Sequence, residues 1–274
     1  LLKSTHVRHW PLTNWPFTMT DRLSFLKIDQ VGFAYHGDAP ILADVSLSLA
    51  PGDFHCLVGR SGCGKTSLLK IVGGLLTPTS GSVSITGMPV NGPSRQVGFV
   101  FQTPSLLEWR TVLDNVLLPI ALHRSVNPSD YDRANDLLSQ MGIEDHAERY
   151  PHQLSGGQQS RVALARALIT EPSLLLMDEP FAALDAITRE DLQNDLLWLA
   201  QTQGTTILFV THDIAEAVYL SSHVSIMQAG CIARSMTIDL PNRQQGGGRY
   251  HPKIIKLCNE IRAALMPIAG ARMP

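Results

Sequence analysis

The most constraining feature of the sequence is a glycine-rich segment between an apolar run and a helical pattern. Residues 59–66 read Gly-Arg-Ser-Gly-Cys-Gly-Lys-Thr, which fits the pattern G-x-x-x-x-G-K-[ST]. Residues 54–58 (FHCLV) have the length and apolar character of a buried strand, and residues 65–73 predict a helix. A strand that passes through such a loop into a helix predicts an α/β fold.

The loop predicts a phosphate site. Glycines let backbone N–H groups wrap an anion, and the helix N-terminus adds the positive end of its dipole. We expect Lys65 to reach the β- and γ-phosphates of a nucleotide and Thr66 to ligate Mg²⁺. The alternative, a glycine-rich turn with an exposed lysine, is disfavoured by the flanking strand and helix. The whole predicted loop comprises Gly59, Arg60, Ser61, Gly62, Cys63 (a small filler), Gly64, Lys65, Thr66 and Ser67.

Two acidic residues follow a second apolar run. Residues 173–177 (SLLLM) precede Asp178 and Glu179, and two acids at the end of a buried strand need a charge partner such as Mg²⁺. We expect Asp178 to hold the metal and Glu179 to orient and deprotonate the attacking water. His212 follows the predicted strand at residues 205–210, where it either contacts the γ-phosphate or is an ordinary structural histidine.

The remaining patterns divide the chain. Strands alternate with helices from residue 173 onward, which predicts a mostly parallel sheet covered on both faces. Period-two patterns at residues 23–35 and 45–49 predict an antiparallel N-terminal β-subdomain, and helical patterns predict an inserted helical subdomain at about 103–165. We predict one large α/β domain at residues 21–245, followed by a linker and a closing helix at residues 246–274.

The first residues carry His, Arg, Trp and Pro without the apolar core of a signal peptide. We expect residues 1–20 to be a disordered or non-native extension, with the natural start at Met19. Four cysteines without close or metal-ligand spacing predict neither a zinc site nor a disulfide framework, and fit a reducing cytosol.

Composition narrows the partners. The 274 residues contain 22 Lys and Arg against 24 Asp and Glu. The chain therefore lacks the net positive charge that is typical of proteins that bind nucleic acid. No run approaches the roughly 20 apolar residues of a membrane-spanning helix, so a membrane role would require a partner.

Leu154-Ser155-Gly156-Gly157-Gln158, at the start of a predicted helix, matches the signature motif of ABC ATPases letter for letter. Ser155 and the two glycines at a helix N-terminus would form a second anion site. The chain therefore resembles the ABC ATPases, which implies a P-loop NTPase core that uses ATP and Mg²⁺. The resemblance also implies a head-to-tail dimer, in which the signature motif of one subunit faces the γ-phosphate bound by the other.

Three further positions follow the order of the family. Tyr35 resembles the aromatic residue that stacks on adenine, although an ordinary strand tyrosine is the alternative. Gln102 resembles the glutamine that senses Mg²⁺ and the attacking water. Asp185 resembles the aspartate of the dimer-contact loop, where Ala183 stands in place of a frequent serine.

Residues 105–116 and 177–189 resemble the importer subgroup for nitrate, sulfonates and taurine, with Glu108 in place of the usual proline. Importers of amino acids or polyamines share much of this pattern. The resemblance implies a peripheral subunit at the cytoplasmic face of the inner membrane, which binds a permease and a second identical or homologous ATPase, and indirectly serves an extracytoplasmic solute-binding protein. Residues 102–118 would receive the permease's coupling helix, with Trp109 either an exposed anchor or buried.

The rival class is a soluble ABC ATPase of repair, translation or cluster assembly. Repair types insert long coiled coils and translation types carry two tandem units, and this sequence has neither. A two-component exporter stays open. A protein that holds ATP without hydrolysing it is disfavoured, because Lys65, Asp178, Glu179 and His212 are all present.

Overall fold

The computed structural model describes residues 24–35, 39–240 and 251–266, except for the side chain of Gln203. The predicted N-terminal extension and the predicted glycine linker at residues 246–248 lie outside these ranges. The strands are β1 (Leu26–Phe33), β2 (Leu42–Leu49), β3 (Phe54–Gly59), β4 (Ser80–Ile85), β5 (Met88–Pro89), β6 (Val97–Val100), β7 (Leu174–Asp178), β8 (Thr206–Thr211), β9 (His223–Gln228) and β10 (Cys231–Thr237). The helices are α1 (Lys65–Val72), α2 (Val112–Ala121), α3 (Pro128–Gln140), α4 (Gly156–Leu168), α5 (Ala186–Gln203), α6 (Ile214–Leu220) and α7 (Pro252–Leu265).

A six-stranded sheet has the order β10-β9-β3-β8-β7-β6, in which all neighbours pair in parallel except β10 with β9. The central strands β3, β7 and β8 are buried at every residue. Alternate side chains of these strands enter two separate cores, so the sheet is covered on both faces. The prediction of a mostly parallel, doubly covered sheet is confirmed.

The first core contains residues of α2 to α7, and the second contains residues of α1 and of a four-stranded antiparallel sheet with the order β2-β1-β4-β5. Strand β2 alternates buried and exposed side chains, and β1 pairs with it in antiparallel register, as predicted. The sequence patterns missed β4, β5, β6 and β10. Strand β4 reads SGSVSI, in which three serines and a glycine hide the apolar alternation.

Side-chain caps explain where the helices begin. In the sequence, helical spacing of apolar residues is evident only from about Tyr131 and Thr188. Helices α3 and α5 begin earlier, at residues 128 and 186, because Asn127 and Asp185 cap them. Helix α1 ends at Val72 because Gly73 is its C-cap. Helix α2 was not predicted individually. Among the described helices, none is both long enough and apolar enough to span a bilayer.

The edge strand β6 packs closely against α4, and Gly98 permits this contact. A Cβ at Gly98 would lie 2.7 Å from the Ala167 carbonyl oxygen and 3.0 Å from side-chain atoms of Leu175 and Pro172, whereas one at Gly92 would meet nothing within 4 Å.

Gly98→Ala should therefore lower the free energy of unfolding by about 1–3 kcal/mol, because the backbone of α4 must move to admit the methyl group. Gly92→Ala should change it by less than about 0.5 kcal/mol. Urea denaturation of both variants checks this expectation. Equal stability of the two variants would contradict the packing described.

Candidate active site

The loop between β3 and α1 has a shape that requires glycine at specific positions. Gly62 and Gly64 have φ values of +80° and +101°, which side chains other than glycine rarely adopt. A Cβ at Gly59 would lie 2.4 Å from the Met227 carbonyl oxygen. The first backbone N–H groups of α1 have no partner within the helix, so they face the loop as anion donors.

Lys65 places a cation inside this loop. Its side chain is buried, and Nζ donates hydrogen bonds to the carbonyl oxygens of Gly59 (2.9 Å) and Arg60 (3.1 Å). Cys63 is buried in the second core, and its Sγ lies 3.9 Å from the Lys65 Nζ. An entering phosphate would meet a positive charge that is already in position.

Asp178 and Thr66 form an oxygen-donor pair beside the loop. The Thr66 hydroxyl donates a hydrogen bond to Asp178 Oδ1 at 3.1 Å. Burial raises the pKa of Asp178, and the nearby Glu179 raises it further, against the lowering effect of the Thr66 hydrogen bond. Hydroxyl and carboxylate oxygens are ligands that Mg²⁺ accepts, and a cation would relieve the cost of this buried carboxylate. The residues present therefore fit a magnesium ion.

Glu179 and His212 meet at the same edge of the sheet. Strands β7 and β8 are parallel neighbours, so the residues after their carboxyl ends lie side by side. His212 Nδ1 lies 2.7 Å from Glu179 Oε2. Glu179 has a φ of +46°, a conformation that is uncommon outside glycine, and its N–H donates to the Val210 carbonyl oxygen at 2.9 Å.

The signature segment forms the N-terminus of α4. Ser155 Oγ accepts from the Gln158 N–H (3.3 Å) and Gln158 Oε1 accepts from the Ser155 N–H (2.9 Å), which is a complete capping box. The two glycines differ. A Cβ at Gly157 would lie 2.4 Å from Thr188 Cγ2, whereas one at Gly156 would meet nothing within 4 Å. Gly156 therefore borders open space.

The other predicted residues take no part in the hydrogen bonds of this cluster. Tyr35 is 43% exposed and contacts Phe33 edge-on, with ring centroids 4.9 Å apart. Gln102 is exposed. Asp185 caps α5 by accepting from the Thr188 N–H at 3.0 Å, a bond that lowers its pKa. Within the described ranges, no hydrogen bond joins Tyr35, Gln102 or Ser155 to the phosphate loop.

Arg166 is a site residue that the sequence patterns did not reveal. From α4 it donates hydrogen bonds to the carbonyl oxygens of Pro104 (2.6 Å) and Ser105 (2.9 Å), in the segment that follows Gln102. The helix that begins with the signature motif thus holds the loop of Gln102. Its one sequence signal is an arginine within an apolar helical pattern.

Comparison with known proteins identifies the family to which this chain is similar and several of its relatives. The family model described as ABC transporter matches residues 42–182. The chain is 47% identical over 214 residues to an aliphatic sulfonates import ATP-binding protein of Xanthomonas axonopodis pv. citri, covering 75% of this chain and 82% of the relative. It is 41% identical over 228 residues to a taurine import ATP-binding protein of Pseudomonas savastanoi pv. phaseolicola, covering 82% and 87%.

A nitrate import ATP-binding protein of Synechocystis sp. is 37% identical over 251 residues, covering 89% of this chain and 94% of the relative. Among solved structures, a dimeric ATP-binding cassette in a post-hydrolysis state, bound to ADP and Pi, is 33% identical with a TM-score of 0.71, covering 79% of this chain and 100% of that one. The predicted family resemblance and fold class are both confirmed.

Replacing the buried carboxylate by Asp178→Asn should raise the free energy of unfolding of the nucleotide-free protein at pH 7 by up to about 1 kcal/mol. The native state raises the pKa of Asp178 and so binds its proton more tightly than the unfolded state does. The destabilisation that the ionised Asp178 causes in the folded protein is therefore absent below the ordinary pKa of an aspartate. It is complete above the raised pKa of the native state. The advantage of the variant should shrink as pH falls toward 4.

The same variant should lose most of the rise in melting temperature that Mg²⁺ with ATP gives the parent, because the amide lacks the negative charge with which the carboxylate attracts the ion. Thermal scans at both pH values, with Asp132→Asn on the exposed surface of α3 as the matched control, measure both effects. An Asp178→Asn protein that is less stable at pH 7 and keeps the full response to Mg²⁺ would overturn this assignment.

Proposed function

Because this chain belongs to the ABC transporter family of ATPases, we propose that it is the ATP-hydrolysing subunit of an importer for nitrate, taurine or other small sulfonates. The observation that carries the ATPase is the cluster at one sheet edge, where the Lys65 loop, the Thr66–Asp178 pair and the Glu179–His212 pair converge. The names of the sulfonate, taurine and nitrate relatives support the solute class.

We propose that the loop of residues 59–67 holds the phosphates of ATP through its backbone N–H groups, with Lys65 on the β- and γ-phosphates. Thr66 and Asp178 would hold Mg²⁺, with Gln102 joining them in the closed state. When bound, the ion neutralises charge on the phosphate oxygens. Tyr35 is exposed and free to stack on the adenine ring.

Glu179 is the proposed general base. Its carboxylate can only accept a hydrogen bond, so Nδ1 of His212 donates at the observed 2.7 Å. This bond orients the carboxylate toward the attacking water and leaves Nε2 of His212 available for the γ-phosphate. The strained backbone of Glu179 fixes the direction of its side chain.

The second half of each site would come from another copy or a homologue. Gly156 borders open space and α4 offers unpaired N–H groups with Ser155, so the segment from Ser155 to Gln158 can receive a phosphate held by the partner subunit. Asp185 would contact the partner nearby. The dimeric cassette among the structural relatives supports this pairing.

A permease would bind on the helical side of the chain. Trp109 is 73% exposed, which favours the anchor over the buried alternative. Asn115, fully buried, holds the segment of Trp109 by accepting from the Leu107 N–H and donating to the carbonyl oxygens of Leu107, Arg110 and Thr111. An apolar groove of about 440 Å³ is lined by Ser105 of the same segment and by apolar residues that include Phe99, Phe101, Leu118 and Leu122.

This binding would keep the chain at the cytoplasmic face of the inner membrane, and a solute-binding protein would act on the far side of the permease. A soluble ABC ATPase that is not coupled to transport is the rival function. The two functions would differ in the partner of the exposed Trp109, which is a permease only for a transporter subunit.

Glu179→Gln should reduce the ATPase kcat by at least about 100-fold, because the amide cannot take a proton from water. ATP binding should persist, and the dimer should become stable enough to isolate with ATP. Steady-state phosphate release and size-exclusion chromatography measure these outcomes, with Glu148→Gln on the surface as control. A Glu179→Gln protein that hydrolyses ATP at the parent rate would refute the base assignment.

Tagged protein purified from its native membranes should retain a multispanning permease, identified by mass spectrometry. Trp109→Ala should weaken this association by roughly 30-fold, the typical effect of removing a central interface tryptophan. Trp198→Ala, at an exposed tryptophan on α5, should have little effect. Recovery of soluble factors alone, with ATPase activity intact, would favour the rival function and reject the transport assignment.

A further inference from the structure

The carboxamide of Gln158 makes a second contact that the capping box does not explain. His146 lies in a short 3-10 turn, Glu144–His146, twelve residues earlier in the chain. Its Nε2 is 2.9 Å from Nε2 of Gln158. The last residue of the signature segment is thus bonded to its own helix start and to a histidine outside that helix.

The hydrogen bonds assign the proton on His146. Gln158 Oε1 accepts from the Ser155 N–H, so the NH₂ group of Gln158 faces the imidazole and must donate. His146 Nε2 is therefore the acceptor, and the proton lies on Nδ1. That Nδ1 atom is buried and has no hydrogen-bond partner within the part of the chain that the structure describes.

An unpaired buried donor is unfavourable for folding. An apolar side chain of similar size would avoid it, so packing alone does not account for a histidine here. What the imidazole adds is an acceptor for Gln158. The residues that follow this turn are fixed to the start of α2, because the N–H groups of Val112 and Leu113 donate to the carbonyl oxygens of Arg149 (2.8 Å) and Ala147 (2.9 Å).

We propose that His146 is a positioning residue for the signature segment. It fixes the carboxamide of Gln158, the carboxamide fixes the Ser155 N–H, and the helix start is thereby held in the orientation that the partner's γ-phosphate requires. This inference rests on the proposed function, since the phosphate is the one bound by the second subunit. It concerns ATP-dependent pairing and turnover, and not the binding of nucleotide to the chain's own loop.

The test uses three single variants and one double variant of the full chain. His146→Leu removes the acceptor and the unpaired donor. His146→Gln restores an acceptor oxygen near the position of Nε2. Gln158→Leu removes the group through which His146 is proposed to act.

His146→Leu should lower the ATPase kcat about fivefold to tenfold, the effect of one lost hydrogen bond. Its melting temperature should be equal to or above that of the parent, because the buried donor is gone. The Kd of the monomer for a fluorescent ATP analogue should not change. His146→Gln should recover most of the lost kcat, which a purely structural role would not predict.

The double variant, which combines His146→Leu with Gln158→Leu, should be no slower than Gln158→Leu alone, because both changes remove the same hydrogen bond. Additive losses would mean that His146 acts independently of Gln158 and would overturn the inference. So would a His146→Leu protein with parental kcat, or one whose loss of activity follows a lowered melting temperature that His146→Gln shares.

A second readout separates this inference from the proposed function. In the Glu179→Gln background, His146→Leu should weaken ATP-dependent dimerisation about fivefold to tenfold in sedimentation velocity runs. Unchanged dimerisation would reject the role of His146 and leave the proposed function standing. A Glu179→Gln protein that never dimerises with ATP would reject the proposed dimer itself, and with it this inference.

Discussion

The parallel register of β3, β8 and β7 determines where the chemistry can occur. Val58 pairs with Thr211, and Val210 pairs with Asp178, so the carboxyl ends of three neighbouring strands finish at one level. Gly59 ends β3, and Glu179 and His212 directly follow β7 and β8. Because all three strands are buried along their length, a shift of one residue would move the side chains of each core to the opposite face of the sheet, into the other core. The strand register that packs the two cores thus also brings the site residues together.

The phosphate loop and the acidic pair could be predicted because each is encoded locally. A loop that needs positive φ values takes glycine, and a strand buried on both faces reads as an apolar run whose end stands out when acids follow. Strands β4 and β10 escaped prediction since their pairing, not their composition, makes them strands. Arg166 and His146 escaped for a related reason: their partners, the Pro104 carbonyl and Gln158, become neighbours only in the folded chain.

Two residues at this sheet edge, and one beside the signature segment, are unfavourable for folding. Asp178 is a buried carboxylate with a raised pKa, Glu179 has a left-handed backbone, and His146 buries a donor without a partner in the described structure. A buried carboxylate followed at once by a left-handed backbone is typical of a site that is completed by a ligand or by another subunit.

The two hydrogen bonds of Arg166 end on backbone carbonyls, at Pro104 and Ser105. Nearly every amino acid presents the same carbonyl, so the attachment does not depend on which side chains stand at these positions. The segment that carries Glu108 and Trp109 can therefore diversify in sequence while it stays fastened to the signature helix. Descendants of one ancestral ATPase could therefore fit different membrane partners through substitutions on the surface of this segment. The hydrogen bonds that attach the segment to the signature helix would not have to change.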